Sequence, residues 1–335
     1  MGSNRLRLDW TWAARNLDQP SETRWTILSE ACLTRWRPEP GEFLQTDFAA
    51  IVGRAKSLPD SVPAGLIFHI SRCGSTLIGN LARCDESAVV LSEPSLVSGI
   101  FNEQMQHMTA SSRGEVLRAL IKLFRYRTTL EGGVGRKVVI KFTGWDALWS
   151  REIRAIWPEV PTLVLVRDPA EVVVSNLRAP ATWIKEKSLP NRARPFVDLP
   201  DSFDRYQLGN AELIALALGA QCEALCRSLD GRCRVLDYED LGLDAAGGLA
   251  QWFGLDIRAN VDAVEAVFRT YSKDPSRKAQ FVDDRQKKRE QVSARIEEMV
   301  AKWAREPYLR LRKHRPEEAA SAVACQRDGT PAALG

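Results

Sequence analysis

The sequence predicts an α/β domain: a mostly parallel β-sheet with helices on both faces, preceded by a small helical adjunct. Three observations predict it. Five short apolar runs rich in β-branched residues stand between positions 65 and 238. Segments long enough for crossover helices separate them, as parallel neighbours require. The residues with the most distinctive polar chemistry fall at the carboxyl ends of the runs, where ligands of such sheets bind.

The elements follow in order. Residues 1–62 are rich in Trp and Arg, and "SETRWTILSEACLTRW" carries apolar residues at helical spacing after Ser21, so this segment reads as an adjunct packed on the main domain. The strands are "GLIFHI" (65–70), "AVVLS" (88–92), "KVVIKF" (137–142), "PTLVLVR" (161–167) and "CRVLDY" (233–238). Their nearly unbroken apolar character is that of strands buried on both faces. Helices are expected over 75–83, 114–130, 145–157, 170–178 and 204–229. Residues 179–200 hold four prolines and no period, which reads as a long surface loop of the kind that often forms a lid. The main domain spans 63–315. The small, polar segment 316–335 reads as a disordered tail.

Composition bounds the function. With 335 residues, 44% of them hydrophobic and 27% charged, the chain can bury a sizeable core. A net charge of +4 is too weak to argue for nucleic acid. The basic run Lys273, Arg277, Lys278, Arg285, Lys287, Lys288, Arg289 and Arg295 reads first as a solvated helix face. No apolar stretch reaches the ~18 residues of a membrane span, and no signal-peptide core opens the chain. Seven cysteines without a metal-ligand spacing point to reduced thiols, no metal and a cytoplasmic location.

The first chemical motif is "SRCGST". It places Arg72, Cys73, Gly74, Ser75 and Thr76 between the first strand and the next helix, where free N–H groups and the positive helix end favour phosphate. A Walker A loop would need glycine at 69 and lysine at 75, but the residues are His69 and Ser75. Arg72 supplies the charge instead. The second motif is "RDPAEVVVS". Arg167 ends a strand, and Ser175 lies two turns into the next helix, so the two can grip a second phosphate.

Together these motifs resemble the nucleotide-binding signatures of sulfotransferases that use 3′-phosphoadenosine 5′-phosphosulfate (PAPS). "SRCGST" is similar to the family's 5′-phosphosulfate loop, and "RDPAEVVVS" to its 3′-phosphate motif. "VLDYEDLGLDAAGGLAQWFGLDI", with Tyr238, is similar to a third family segment. The resemblance runs over roughly residues 64–290 and implies a P-loop-type sheet, PAPS as cofactor and no metal. The absence of a histidine after the second strand makes the chain resemble the tyrosylprotein and carbohydrate branches more than the cytosolic aryl ones. That branch implies Glu93 in "LSEPS" as the base and Lys141 in "VVIKF" as a phosphosulfate contact, with Arg72 and Lys141 neutralising charge on the leaving phosphate. "YSKDPSRKAQF" departs from the family's C-terminal loop and leaves Lys273, Ser276 and Lys278 as cofactor contacts implied by position only.

Two other functions fit parts of the pattern. A P-loop kinase or nucleotidase using ATP and magnesium would rely on Asp168, the only aspartate after a strand that could serve it. An adenosine-phosphate-binding protein without activity would not need Glu93 and the cations together. The acceptor is open among a small molecule, a carbohydrate and a peptide. His69 reads as a packed core histidine, and Phe101, Met105, His107 and Met108 read as core in preference to an acceptor wall. Trp145 and Trp149 share a helix face, and Trp183 is the aromatic expected to meet substrate. Ile296, Met299, Val300 and Trp303 form an amphipathic stretch that serves the core or a homodimer.

Overall fold

A computed structural model describes residues 48–101, 108–130, 137–257, 260–270, 280 and 285–314. Among the described residues there are five strands: β1 (Gly65–His69), β2 (Ala88–Ser92), β3 (Lys137–Lys141), β4 (Thr162–Val166) and β5 (Cys233–Asp237). Each begins and ends within one residue of the bounds read from the sequence, because a strand covered on both faces leaves an uninterrupted apolar run. All pairings are parallel, in the order β2-β3-β1-β4-β5. Every residue of β1 and β4 is buried.

The register aligns the carboxyl ends. Lys141 lies opposite both Ile67 and Ser92, and His69 lies opposite Leu165. From β3 the chain crosses over β1 to reach β4. That change of direction opens the crevice in which ligands of open α/β sheets bind.

Helices cover both faces. In chain order they are α1 (Phe48–Ala55), α2 (Ser75–Ala82), α3 (Ser95–Ile100), α4 (Ala110–Leu130), α5 (Ser150–Ile156), α6 (Pro169–Arg178), α7 (Thr182–Lys185), α8 (Asn210–Cys226), α9 (Leu243–Phe253), α10 (Val261–Arg269), α11 (Arg285–Arg289), α12 (Ala294–Trp303) and α13 (Arg305–Arg312). Helix α8 is buried on nearly every side from Leu213 to Leu225 and packs against α6, α12 and α13. Its Gly219 permits the closest of these approaches, since a Cβ there would stand 2.1 Å from the Trp303 carbonyl oxygen. Ile296 and Val300 are buried, and Met299 and Trp303 pack against the core, so the amphipathic stretch of α12 serves the core.

Three local expectations change. The helix expected over 145–157 opens as a 3₁₀ turn, Trp145–Trp149, before α5. At three residues per turn, positions i and i+4 no longer share a face. Trp145 and Trp149 nonetheless both pack against the cluster of Leu148, Leu216 and Ala220, so the packing role expected of them holds. The segment 179–200 is also more structured than a surface loop. It contains α7 and a 3₁₀ turn, Asn191–Phe196, and buries Ile184, Leu189 and Ala193. Its prolines punctuate these turns instead of leaving the chain without structure. Phe101 is core, 2% exposed and tilted against Trp149, as expected.

Of the N-terminal adjunct, the described part is residues 48–62, which carry α1, whose Ile51 and Ala55 join the main core beside α4. Residues 1–47, Met105, His107 and 316–335 lie outside the described residues. Among the described residues, no helix is long and apolar enough to cross a membrane.

Candidate active site

The loop after β1 contains two left-handed residues, Arg72 at φ 58° and Gly74 at φ 82°. Gly74 is required twice over. A side chain would be strained at that φ, and its Cβ would stand 2.5 Å from Leu241 and 2.9 Å from Tyr238. Arg72 adopts the same region with a side chain, a local strain that the surrounding structure sustains. Its guanidinium reaches across to donate to the Ala179 carbonyl at 2.9 Å. Helix α2 then opens at Ser75 with no side-chain cap. Ser75, Thr76 and Leu77 of its first turn line a cavity of about 690 Å³.

Cys73 lines the same cavity, but its buried thiol donates to the Ile70 carbonyl at 2.8 Å. Burial pushes that thiol up to about 12. It is a packing group at neutral pH. Any contact from this residue to a ligand comes from its backbone.

On the β2–β3 side, the Lys141 ammonium is almost wholly buried and ion-paired to Glu93 Oε1. Glu93 follows β2 in a left-handed conformation, φ 52°. Burial alone would raise its pKa, but His69 and Lys141 beside it outweigh that and hold it well below the usual carboxylate range. His69 is 5% exposed, with Nδ1 2.9 Å from the Ile70 carbonyl and Nε2 3.5 Å from Glu93 Oε1. It is buried as the sequence suggested, yet it also lines the cavity.

On the β4 side, Arg167 is buried. Its Nε and Nη2 donate to Glu171 Oε2 at 2.9 and 2.7 Å, and its Nη1 reaches the Arg72 carbonyl at 3.4 Å. The guanidinium lies 4.0 Å above the Tyr238 ring. Arg289 takes the other Glu171 oxygen at 2.7 Å. Arg167, Ser175 and Tyr238 all line the cavity. The two sequence motifs therefore meet at one hollow. Asp168 is engaged elsewhere, with Oδ1 capping α6 at the Ala170 N–H and Oδ2 paired with Arg305, each at 2.8 Å. The magnesium-dependent reading loses the one aspartate it relied on.

Lys273, Ser276 and Lys278 lie outside the described residues. The neighbouring basic run needs a correction. Lys287 is exposed, but Lys288 is 8% exposed and lines the cavity with Arg285. Packing of α11 against α6 turns part of the run inward. Gly144, Asn176, Arg178, Gln221, Leu241 and Phe268 complete much of the lining without having been singled out by sequence. The apolar pattern of α8 gave no cue to Gln221, because one buried glutamine does not disturb it. Trp183 does reach the cavity, with Trp145 edge-on to it at 5.1 Å. Trp149 lies instead between the guanidinium groups of Arg113 and Arg192, at 4.7 and 4.3 Å.

The fold and site together define a parallel α/β domain with a left-handed, glycine-containing loop and a cavity at the carboxyl edge of its sheet. No family model matches the sequence, and no curated protein matches it. Among solved structures, the chain is similar to the sulfotransferase domain from the curacin biosynthetic pathway. The identity is 12%, the match covers 72% of this chain and 98% of that one, and the TM-score is 0.46. It is also similar to a sulfotransferase from Alicyclobacillus acidocaldarius, at 14% identity, 77% and 98% coverage and TM-score 0.40. A third is the sulfotransferase domain of the Synechococcus PCC 7002 olefin synthase, at 13% identity, 80% and 96% coverage and TM-score 0.40.

Proposed function

We propose that this chain transfers a sulfuryl group from PAPS to a hydroxyl or amine of an acceptor. The observation that carries the reading is the meeting of the loop Arg72–Thr76 and the pair Arg167 and Ser175 around one cavity that Glu93 also lines, with Lys141 buried behind that carboxylate and outside the lining. The cavity is of the size that holds a nucleotide. Its residues fit a doubly anionic one: an uncapped helix start, a glycine cradle, and cations from the loop, β4 and α11.

Bound there, PAPS would supply the sulfuryl group and leave as adenosine 3′,5′-bisphosphate. Arg72, Lys141 and the amides from Gly74 to Thr76 are the groups that would hold its 5′ end and offset charge growing on the leaving phosphate. Arg167 and Ser175 would hold the 3′-phosphate, with Tyr238 fixing the plane of the arginine. Glu93 is ionised at neutral pH and takes the acceptor's proton. While Lys141 and His69 hold that carboxylate it is a weak base. Drawing Lys141 toward an anion at the loop would free one of its oxygens and raise its basicity.

Calorimetry and product analysis test the reading. Adenosine 3′,5′-bisphosphate should bind without magnesium, and incubation with PAPS and an acceptor library should give a mass gain of one sulfuryl group. Binding of ATP only with magnesium, and none of the bisphosphate, would overturn it.

A further inference from the structure

Helix α13 follows the stretch that carries the nucleotide-binding motifs, yet its side chains close on both members of the stack between Arg167 and Tyr238. Arg305, Tyr308 and Arg312 stand at i, i+3 and i+7 and so share one helix face. Arg305 Nη1 donates to Asp168 Oδ2 at 2.8 Å, and Asp168 is the residue after Arg167. The Tyr308 hydroxyl donates to Asp237 Oδ2 at 2.7 Å, and Asp237 is the residue before Tyr238. Arg312 is ion-paired to Glu239, the residue after Tyr238, and its Nε lies 3.5 Å from Asp237 Oδ2.

Each aspartate divides its two oxygens. Asp168 Oδ1 accepts from the Ala170 N–H at the start of α6, and Asp237 Oδ1 accepts from the Glu239 N–H in the 3₁₀ turn Tyr238–Asp240. The remaining oxygen of each goes to α13. Tyr308 and Asp237 are both buried, so their bond is shielded from water. Attachment of the helix does not require these contacts. Leu311 is buried, α13 packs against α8, and Arg310 pairs with Glu223 of that helix. What the shared face adds is a fixed spacing between the turn after β4 and the turn after β5. The Arg167 guanidinium and the Tyr238 ring stand on those two turns, 4.0 Å apart.

We infer that Arg305, Tyr308 and Arg312 are positioning residues for the second-phosphate grip. They touch no ligand. Through Asp168, Asp237 and Glu239 they set the height and tilt of the Tyr238 ring against Arg167, and so the direction in which the guanidinium faces the cavity. This rests on the sulfuryl-transfer reading for what Arg167 holds, but not for the geometry of the stack.

Two measurements on the full chain test it, the first without any ligand. In protein carrying isotope-labelled arginine, the Arg167 Nε–H signal is read by NMR and assigned by its loss in Arg167→Lys. The Tyr238 ring displaces that signal by an amount that Tyr238→Leu defines. Tyr308→Phe, which changes no charge, and Arg312→Gln should each remove about a third or more of the displacement. Arg312→Lys, which keeps the charge beside Glu239, should restore most of it. Arg312 is partly exposed, so its variants carry the test if loss of the buried hydroxyl unfolds the chain. A displacement unchanged by the α13 variants, or none between wild type and Tyr238→Leu, overturns the inference.

The second measurement is calorimetry with two ligands. Affinity for adenosine 3′,5′-bisphosphate should fall about fivefold or more in each variant, and that for adenosine 5′-phosphosulfate by less than about twofold. In a Tyr238→Leu background the same changes should add little, because residues that act through one ring are not additive. Equal losses for both ligands, or full additivity, would make α13 a structural brace only and overturn the inference. If the NMR signal responds as expected but wild type binds no bisphosphate, the positioning role stands and the transfer reading falls. Bisphosphate binding and a sulfated product, with a signal indifferent to α13, would do the opposite.

Discussion

Lys141 and Glu93 are joined twice at the carboxyl edge of the sheet. The Glu93 N–H donates to the Lys141 carbonyl at 2.6 Å, and the Lys141 ammonium donates to Glu93 Oε1. The backbone bond continues the β2–β3 ladder one step past the Ser92–Lys141 pairing. There the chain leaves the strand through a left-handed residue, which brings the carboxylate to the ammonium. Two bonds to one neighbour hold the strained conformation in place.

Glu93→Gln tests the base directly. The amide cannot take a proton, so turnover with an identified acceptor should fall by ~10²-fold or more. Bisphosphate binding should remain. A rate within threefold of the wild type would remove Glu93 from the mechanism.

The same pair predicts how stability depends on pH. The folded pKa of Glu93 lies below its ordinary value, so its contribution is present above the unfolded carboxylate pKa and is lost as pH falls toward the folded one. Melting temperature should decline below about pH 4.3, the ordinary value for glutamate. In Glu93→Gln the decline over that window should be shallower. Melting curves between pH 3 and 7 for both proteins check it, and parallel slopes would contradict the linkage.

Arg72 joins strain to function. At φ 58° a glycine is unstrained and an alanine is not. Arg72→Gly should therefore be more stable than Arg72→Ala by about 1 kcal/mol. Both should lose ~10²-fold in turnover on the proposed mechanism, because both lack the guanidinium proposed to offset charge on the leaving phosphate. Chemical denaturation and rate measurements on the pair separate the two effects. Equal stabilities would mean that the loop relaxes once the arginine is gone.

The strands were legible in the sequence because a buried parallel strand is a local pattern. The ends of those strands then pointed to Arg72 and Arg167, and the family resemblance to Glu93 and Lys141, without any knowledge of the pairing order. Lys288 and Gln221 were not legible. Lys288 belongs to a basic run whose local pattern is that of any solvated helix, and only the packing of α11 on α6 turns it inward. Gln221 interrupts a helix that is apolar on almost every side, where one amide leaves the periodicity unchanged. The tryptophans pack as their spacing suggested, but not for the reason the spacing implied. Spacing of i and i+4 means one face only if the segment is α-helical, and here it is a 3₁₀ turn.

Arg167→Lys probes the second phosphate position. The guanidinium spans Glu171, the Arg72 carbonyl and the Tyr238 face at once. A lysine keeps the charge but loses the fork and the flat surface that lies on the ring. Affinity for adenosine 3′,5′-bisphosphate should fall about tenfold or more, while affinity for adenosine 5′-phosphosulfate, which lacks the 3′-phosphate, should change little. Equal losses for both ligands would show that Arg167 acts through the shape of the loop and not through the 3′ group.

Gly74→Ala should damage binding through the residues that support the loop. The methyl meets Leu241 at 2.5 Å and Tyr238 at 2.9 Å, and φ of 82° adds a backbone cost of about 1–3 kcal/mol. Displacing Tyr238 removes the surface on which Arg167 rests, so affinity for adenosine 3′,5′-bisphosphate should weaken although Gly74 itself carries no side chain. Leu241→Ala in the same chain gives the methyl room at its tightest contact and should recover part of the lost stability. It cannot recover the backbone part, which belongs to φ alone. A double variant as stable as wild type would mean that the steric contact was the whole effect. No recovery at all would assign it entirely to the left-handed backbone.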